Sequence, residues 1–281
     1  MYALPKVVLF SLLFAVSYCA APDARLVSET KPAQRSPLTV TYVGNEGVLI
    51  SSGPHQLLID GLHREYKPDY AFPPPALLGA LEAARPPYDR LQLLLVTHIH
   101  LDHFHPQSVG LHLQNNPGAV LVSSAQVGDD VKEKFGSYRE IESRVRRVTP
   151  EWKTKAALEV KGIKVNVLGL RHGSERFSWI QNQGFLVELN GTKLLHIGDA
   201  DMTAENFSSF HLPDERIDIA FIPYWFLLSD QGRSLVNEHI RPKQIIAVHI
   251  QPAEAEKVAE QIRKVNPGTI ALTRIGESKS F

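Results

Sequence analysis

The sequence predicts an α/β fold, and two sheets flanked by helices fit the order of its elements. Short apolar runs of strand length recur along the chain, several of them end in a turn bearing histidine or aspartate, and segments of helical periodicity lie between them. With 281 residues, 43% of them hydrophobic, the chain can bury one substantial core. No repeat of fixed period is present, and nothing signals a second domain.

The elements follow in order. Leu38, Val40 and Tyr42 alternate with Thr39 and Thr41, the period of a half-buried strand; Val48 to Ile50 and Gln56 to Ile59 continue as short strands around the turn Ser52-Gly53-Pro54. Asp60 closes this meander. An irregular segment then carries Pro73-Pro74-Pro75, a helical stretch from Ala76 to Ala84, and Pro86-Pro87. A long loop before a catalytic strand often forms a lid or a substrate wall, and His63, Tyr66 and Tyr70 are candidates either to line it or simply to pack. The apolar run Leu91 to Val96 reads as a buried strand, Ala119 to Val122 as another, and Ser124 to Phe135 as a helix capped by its serine. Ile163 to Leu170 is strand-like. Gly184 to Leu189, the turn Asn190-Gly191 and Thr192 to Ile197 make a hairpin, because Asn-Gly accepts the positive φ angles of a tight reversal. Ile217 to Ile222 is a buried strand, Ser234 to Ile240 a short helix, Gln244 to Val248 a strand, and Ala253 to Val265 an amphipathic helix.

The most informative stretch is Val96-Thr97-His98-Ile99-His100-Leu101-Asp102-His103, directly after a strand. A strand ending in a sharp turn can aim alternate side chains at one point, so His98 and His100 converge while Asp102 and His103 face a second point nearby. Imidazole nitrogen with carboxylate oxygen suits zinc, manganese or iron. His172, Asp199 and His249 also sit at or just past the ends of apolar runs, where open α/β sheets gather ligands.

This spacing resembles the HxHxDH motif of the metallo-β-lactamase superfamily, and the later ligands occur in that family's order from Leu38 onward. The resemblance implies an αββα four-layer sandwich of two packed mixed β-sheets, where the pattern alone says only α/β. It implies that His98, His100 and His172 hold one metal, that Asp102, His103 and His249 hold the other, and that Asp199 bridges them. Two ions about 3.5 to 4 Å apart share a water and lower its pKa towards neutrality. Asp102 or Asp199 could take the proton released in the attack. Zinc is the first expectation, with manganese or iron as alternatives. Leu195 to Asp201 and the ending Ala247-Val248-His249 are similar to the branch containing ascorbate-6-phosphate lactonase and N-acylphosphatidylethanolamine-hydrolysing phospholipase D. The commonest zinc β-lactamases place cysteine at the fourth motif, whereas the sole cysteine here is Cys19, far upstream. An all-imidazole and carboxylate site therefore favours ester, lactone, amide or phosphodiester hydrolysis over antibiotic cleavage. In that family an Asp-Gly at the place of Asp60 lies near the metals, so Asp60 either orients a ligand or merely forms the turn.

Other residues carry open alternatives. Tyr224 and Trp225 can line the pocket or pack in the core; Arg171 and Arg176 can clamp an anion or form a solvated basic turn. His105, His112, His196 and His211 read as structural or as supports behind the ligands. Two divalent ions, two carboxylates and five imidazoles leave a positive centre, which suits an anionic or carbonyl-bearing small molecule. Lys plus Arg and Asp plus Glu number 30 each, so no bulk attraction to nucleic acid is expected.

Lys6, the apolar run Val7 to Val16 and the small residues Ser17, Ala20 and Ala21 read as a secretory signal over 1–21, too short to span a bilayer comfortably. Cys19 adds a lipidation option, since Val16-Ser17 resembles a lipobox, although Tyr18 departs from it. Residues 22–36 read as a linker and 37–281 as the folded domain. The expectation is an exported enzyme, periplasmic or secreted, touching a membrane only if Cys19 is lipidated or the signal stays uncleaved. Competing readings are an iron-dependent oxygenase or oxidoreductase of the same superfamily and a non-catalytic metal-binding protein.

Overall fold

The strands appear where side-chain alternation or unbroken apolar runs demand them. The computed structural model describes residues 1–3 and 36–281, and residues 35–281 form one compact unit. The strands are β1 Leu38–Gly44, β2 Gly47–Ser52, β3 His55–Ile59, β4 Leu93–Val96, β5 Val120–Ser123, β6 Val145–Arg147, β7 Lys155–Val160, β8 Ile163–Gly169, β9 Gln183–Leu189, β10 Thr192–His196, β11 Ile219–Pro223, β12 Gln244–Val248, β13 Ile270–Ala271 and β14 Ser278–Ser280. They form two sheets of seven, in the orders β14-β1-β2-β3-β4-β5-β6 and β13-β12-β11-β10-β9-β8-β7. Both are mixed: β1 to β3 and β7 to β10 run antiparallel, while β3 to β6 and β10 to β13 run parallel.

Three apolar clusters define the layers. One, containing Val40, Ile50 and Leu95 of the first sheet with Val165, Phe185 and Phe221 of the second, is the seam between the sheets. A second joins Leu94 and Leu121 of the first sheet to Val109 and Val131 of α2 (Pro106–Asn115) and α3 (Ala125–Lys134); Leu81 of α1 (Pro75–Glu82) joins it. The third joins Leu195 and Ile222 to Phe226 and to Val258 and Ile262 of the helix Ala255–Val265. Each sheet therefore buries one face against the other sheet and one against helices. That is the αββα sandwich.

Parallel strands buried on both faces need no polar alternation, which is why β4 and β11 are wholly apolar. Ser124 caps α3 by accepting from the Val127 amide at 3.3 Å, as its sequence position predicts. The helix expected from Ser234 instead begins at Asp230, because Ser229 caps it by accepting from the Gly232 amide at 3.0 Å. The strand expected from Ile217 begins at Ile219. Helix α2 and strands β6, β7, β13 and β14 were not anticipated. β7 alternates exposed and half-buried residues around Lys155 and Glu159 and is an edge strand, so its apolar signal is weak. The expected signal over 1–21 and linker over 22–36 fall, except for residues 1–3 and Ser36, outside the described residues. No helix among the described residues is long and apolar enough to cross a membrane.

Candidate metal centre

The strand ends converge on one point. The turn after β4 supplies His98, His100, Asp102 and His103, and the segments after β8, β10 and β12 bring His172, Asp199 and His249 to it. Gly198, at φ +55, makes the turn into Asp199, and a Cβ there would meet Asn182 Oδ1 at 2.7 Å and Thr97 Cβ at 2.8 Å. Only glycine fits that passage.

The residues sort into two clusters whose ligand atoms lie within 4.8 Å of one another: His98, His100, His172 and Asp199 in the first, Asp102, His103 and His249 in the second. In the first, His100 Nδ1 stands 3.0 Å from His98 Nε2 and 3.2 Å from His172 Nε2. Asp199 faces both clusters. Its Oδ2 lies 3.6 Å from His172 Nε2 and 3.9 Å from His98 Nε2, and its Oδ1 lies 3.6 Å from His103 Nε2 and 3.5 Å from His249 Nε2.

Behind the clusters, hydrogen bonds set which nitrogen of each ring carries the proton. His98 Nδ1 is 2.9 Å from the Thr97 hydroxyl, which itself donates to Asp60 Oδ2 at 2.6 Å and so can only accept from the ring. His103 Nδ1 donates to the same Asp60 oxygen at 2.9 Å, and His172 Nδ1 donates to the Gly173 carbonyl at 2.6 Å. Each turns its Nε2 towards the cluster. Asp60 thus orients a ligand as well as shaping the turn. It also accepts the Thr97 amide at 2.8 Å.

The donors fit divalent cations. Lone pairs crowded as closely as those of His98, His100 and His172 repel one another, and a cation converts that repulsion into binding. Asp199 Oδ1 and His249 Nε2 are buried atoms with no hydrogen-bond partner. His98, His100, His172 and Asp199 would hold one ion and Asp102, His103 and His249 the other.

Charge divides the clusters as clearly as geometry. Burial, followed by the neighbouring His103, pushes His98 well below the ordinary imidazole range, and burial with neighbouring His172 lowers His100 to about 4. Burial works in the same direction on His103 and His249, but carboxylates override it. Asp102 and Asp199 hold His103 well above its ordinary value, and Asp199 with Asp102 lifts His249 to about 10. Conversely, burial would raise Asp102 and Asp199, yet His103 and His249 keep both well below the usual carboxylate range.

Asn45 and Glu46 were not foreseen. Asn45 Nδ2 donates to Asp102 Oδ2 at 2.9 Å. Glu46 is fully buried with neither oxygen hydrogen-bonded, 4.0 Å from His103 and 3.8 Å from His196; burial, reinforced by Asp199, lifts it to about 8. A charged residue flanked by apolar strands was the available signal. It was readable as a turn.

A cavity of about 320 Å³ opens over the centre, lined by His100, Asp102, His172 and Asp199 together with Tyr66, Lys67, Tyr70, Ile99, Leu101, Arg176, Phe177 and Trp179. Tyr66 and Tyr70 line it as proposed, whereas His63 is wholly buried with Nε2 3.3 Å from the Gly44 carbonyl. Arg176 lines it; Arg171 lies over the Trp152 ring at 3.4 Å instead. Trp225 packs edge-on against His249 at 4.9 Å, and Tyr224 packs on Trp225 and the helix-side core. His112 is buried with Nδ1 2.6 Å from the Leu81 carbonyl, and His196 is buried with Nε2 3.1 Å from the Glu46 carbonyl. His105 precedes α2 and His211 is exposed, so none of these four joins either cluster.

The sequence profile of the beta-lactamase superfamily domain matches residues 68–273. This chain belongs to the metallo-β-lactamase superfamily. It is a metal-dependent hydrolase of that superfamily. A UPF0173 metal-dependent hydrolase of Thermus thermophilus is 26% identical over 221 residues, covering 75% of this chain and 82% of the relative. Among solved structures, a possible metal-dependent hydrolase from Veillonella parvula superposes with a TM-score of 0.60 at 15% identity, covering 88% of this chain and all of its own. The diiron β-hydroxylase CmlA of Streptomyces venezuelae superposes at 0.57 and 15% identity, covering 89% of this chain and 55% of its own. At such identities the superpositions speak to the fold.

Proposed function

We propose that this metallo-hydrolase is binuclear and cleaves an ester, lactone, amide or phosphodiester bond in a small molecule, with Asp199 shared between its two ions. The observation that carries this reading is the placement of the two Asp199 oxygens, one towards the nitrogens of His98 and His172 and the other towards those of His103 and His249. Two divalent ions held there, zinc first among the candidates, would supply a water acidic enough to attack at neutral pH and a positive field for the developing oxyanion. The protein's own part is to hold and orient. Thr97, Asp60 and Gly173 fix the ring tautomers, and Asn45 holds Asp102 by its Oδ2. Asp102 and Asp199 sit in the cavity lining as the carboxylates that could accept the proton released on attack.

Metal analysis of purified protein, paired with hydrolysis of a generic ester, a lactone and a bis-aryl phosphodiester, tests this. The expected result is about two ions per chain, with turnover lost on chelation and restored by adding metal. One ion per chain in fully loaded protein would overturn the binuclear reading. The fold shared with a diiron hydroxylase supports a second reading, since imidazole and carboxylate also suit iron; redox-active iron with oxygen-dependent turnover and no hydrolysis would favour it. We also propose export, on the residues from Lys6 to Ala21. Cell fractionation with mass spectrometry of the N-terminus checks it, and a cytoplasmic protein retaining Met1 would refute it.

A further inference from the structure

We propose that the substrate of this site is an amphiphilic anion, a carboxylate or phosphate oxyanion joined to an aryl or acyl body, with the oxyanion taken by Arg176 and Lys67 and the apolar body by Tyr66, Leu101 and Trp179. The inference rests on the reading of the cavity as a hydrolytic metal centre and names what that centre selects.

The apolar half of the argument comes from where exposed hydrophobic surface lies. Tyr66 is 44% exposed, Leu101 42% and Trp179 60%, while most other large apolar residues among the described residues are buried, and all three line this cavity. Apolar surface gathered at one opening marks a binding site rather than scattered exposure. Trp179 is held out by construction. The segment that carries it is pinned to the start of α3: the Gln126 side chain donates to the Trp179 carbonyl at 2.7 Å and accepts from the Gln181 amide at 2.8 Å, and the Gln181 side chain accepts from the Gln126 amide at 3.0 Å. The backbone at and just after Trp179 is held while the side chain stands largely exposed. A ring presented in this way loses little freedom when a ligand covers it. Tyr66 is steadied similarly, stacked on Tyr70 with ring centroids 6.1 Å apart.

The charged half comes from two cations at the same opening. Lys67 Nζ lies over the Tyr66 ring at 4.9 Å, and the Arg176 guanidinium lies over the Phe177 ring at 4.4 Å. Neither makes an ion pair with a carboxylate among the described residues, whereas Lys193 and Lys243 elsewhere each hold a carboxylate at 2.7 and 2.6 Å. The Arg176 guanidinium, without a carboxylate partner among the described residues, has N–H donors to offer a planar or tetrahedral oxyanion. The cavity, about 320 Å³, is the size of a small molecule. Charge and apolar surface at one opening match a ligand that carries both.

Isothermal titration calorimetry on the metal-loaded protein, with 4-phenylbutyrate, butyrate and 4-phenylbutyramide as probes, tests the two halves separately. The first probe should bind at least about tenfold more tightly than either of the others. Trp179→Ala should bring 4-phenylbutyrate down towards butyrate and leave butyrate unchanged. The double variant Lys67→Gln, Arg176→Gln should bring it down towards 4-phenylbutyramide. Equal affinities for the three probes, no binding of any, or unchanged 4-phenylbutyrate affinity in both variants would overturn the proposal. Metal content of the same samples keeps the two readings apart: selectivity with one ion per chain upholds this inference and defeats the binuclear one, and two ions without selectivity does the reverse.

Discussion

The two halves of the metal centre share a carboxylate and a wall of buried groups, yet they are opposite in charge logic. His98 and His100 lie among other imidazoles, where burial and neighbouring positive charge keep them neutral, with His100 lowered to about 4. His103 and His249 are both buried, but face Asp102 and Asp199 and hold their protons, His249 to about 10. Burial of an imidazole therefore does not set its state; the sign of the nearest charges does. His98 and His100 are ready for a cation, while His103 and His249 must exchange protons for one.

The comparison breaks most visibly at the residue common to both halves. Asp199→Asn keeps the shape but removes the negative charge that both clusters face, so hydrolysis should fall by roughly three orders of magnitude or more, and metal content should drop at both sites. Steady-state kinetics with elemental analysis checks this, and near wild-type values in both would end the bridging assignment. His98→Ala should act on one half only, taking loaded protein from about two ions to about one, because the Asp102, His103 and His249 set is left whole.

A pH titration of metal affinity sharpens the contrast without mutation. In metal-free protein His249 is charged below about 10 and His103 is charged as well, so loading the second cluster releases their protons. Affinity there should weaken about tenfold per pH unit, for each proton displaced, as pH falls through the neutral range. His98 and His100 meet no such competition until pH nears the value of about 4 at His100. Calorimetric titration in buffers of different ionisation enthalpy reads the released protons, and equal pH dependence for the two ions would contradict the division.

Smaller effects probe the support. Asp60→Asn removes the carboxylate that accepts His103 Nδ1–H at 2.9 Å and should weaken the second ion about 10- to 100-fold, measurable by competition with a chromophoric chelator. His196→Ala should leave metal content unchanged and lower the melting temperature, at a cost of about 2 to 4 kcal/mol for a buried truncation; loss of metal in that variant would show that the fourth motif had been misplaced.

Legibility followed locality. Four ligands lie within the six residues from His98 to His103, where one turn sets all their directions, so their spacing alone announced a metal site. His172, Asp199 and His249 were readable as strand-end residues, but their assignment to particular ions needed the family pattern, because their approach depends on two sheets packing. Glu46 belongs to no motif in the sequence. Its burial against His103 and His196 arises only when the sheets close over it.

By itself, then, the sequence determined the chemistry of the donors and most of the buried strands, because residue type, apolar runs and tight turns act over a few positions. The tertiary structure alone decided that Arg176 reaches the cavity while Arg171 lies on Trp152, that Tyr66 and Tyr70 line it while His63 is sealed beneath, and that His98 and His100 differ in charge from His103 and His249. Direction at a loop and the electrostatic company of a buried ring are properties of surfaces brought together from distant parts of the chain.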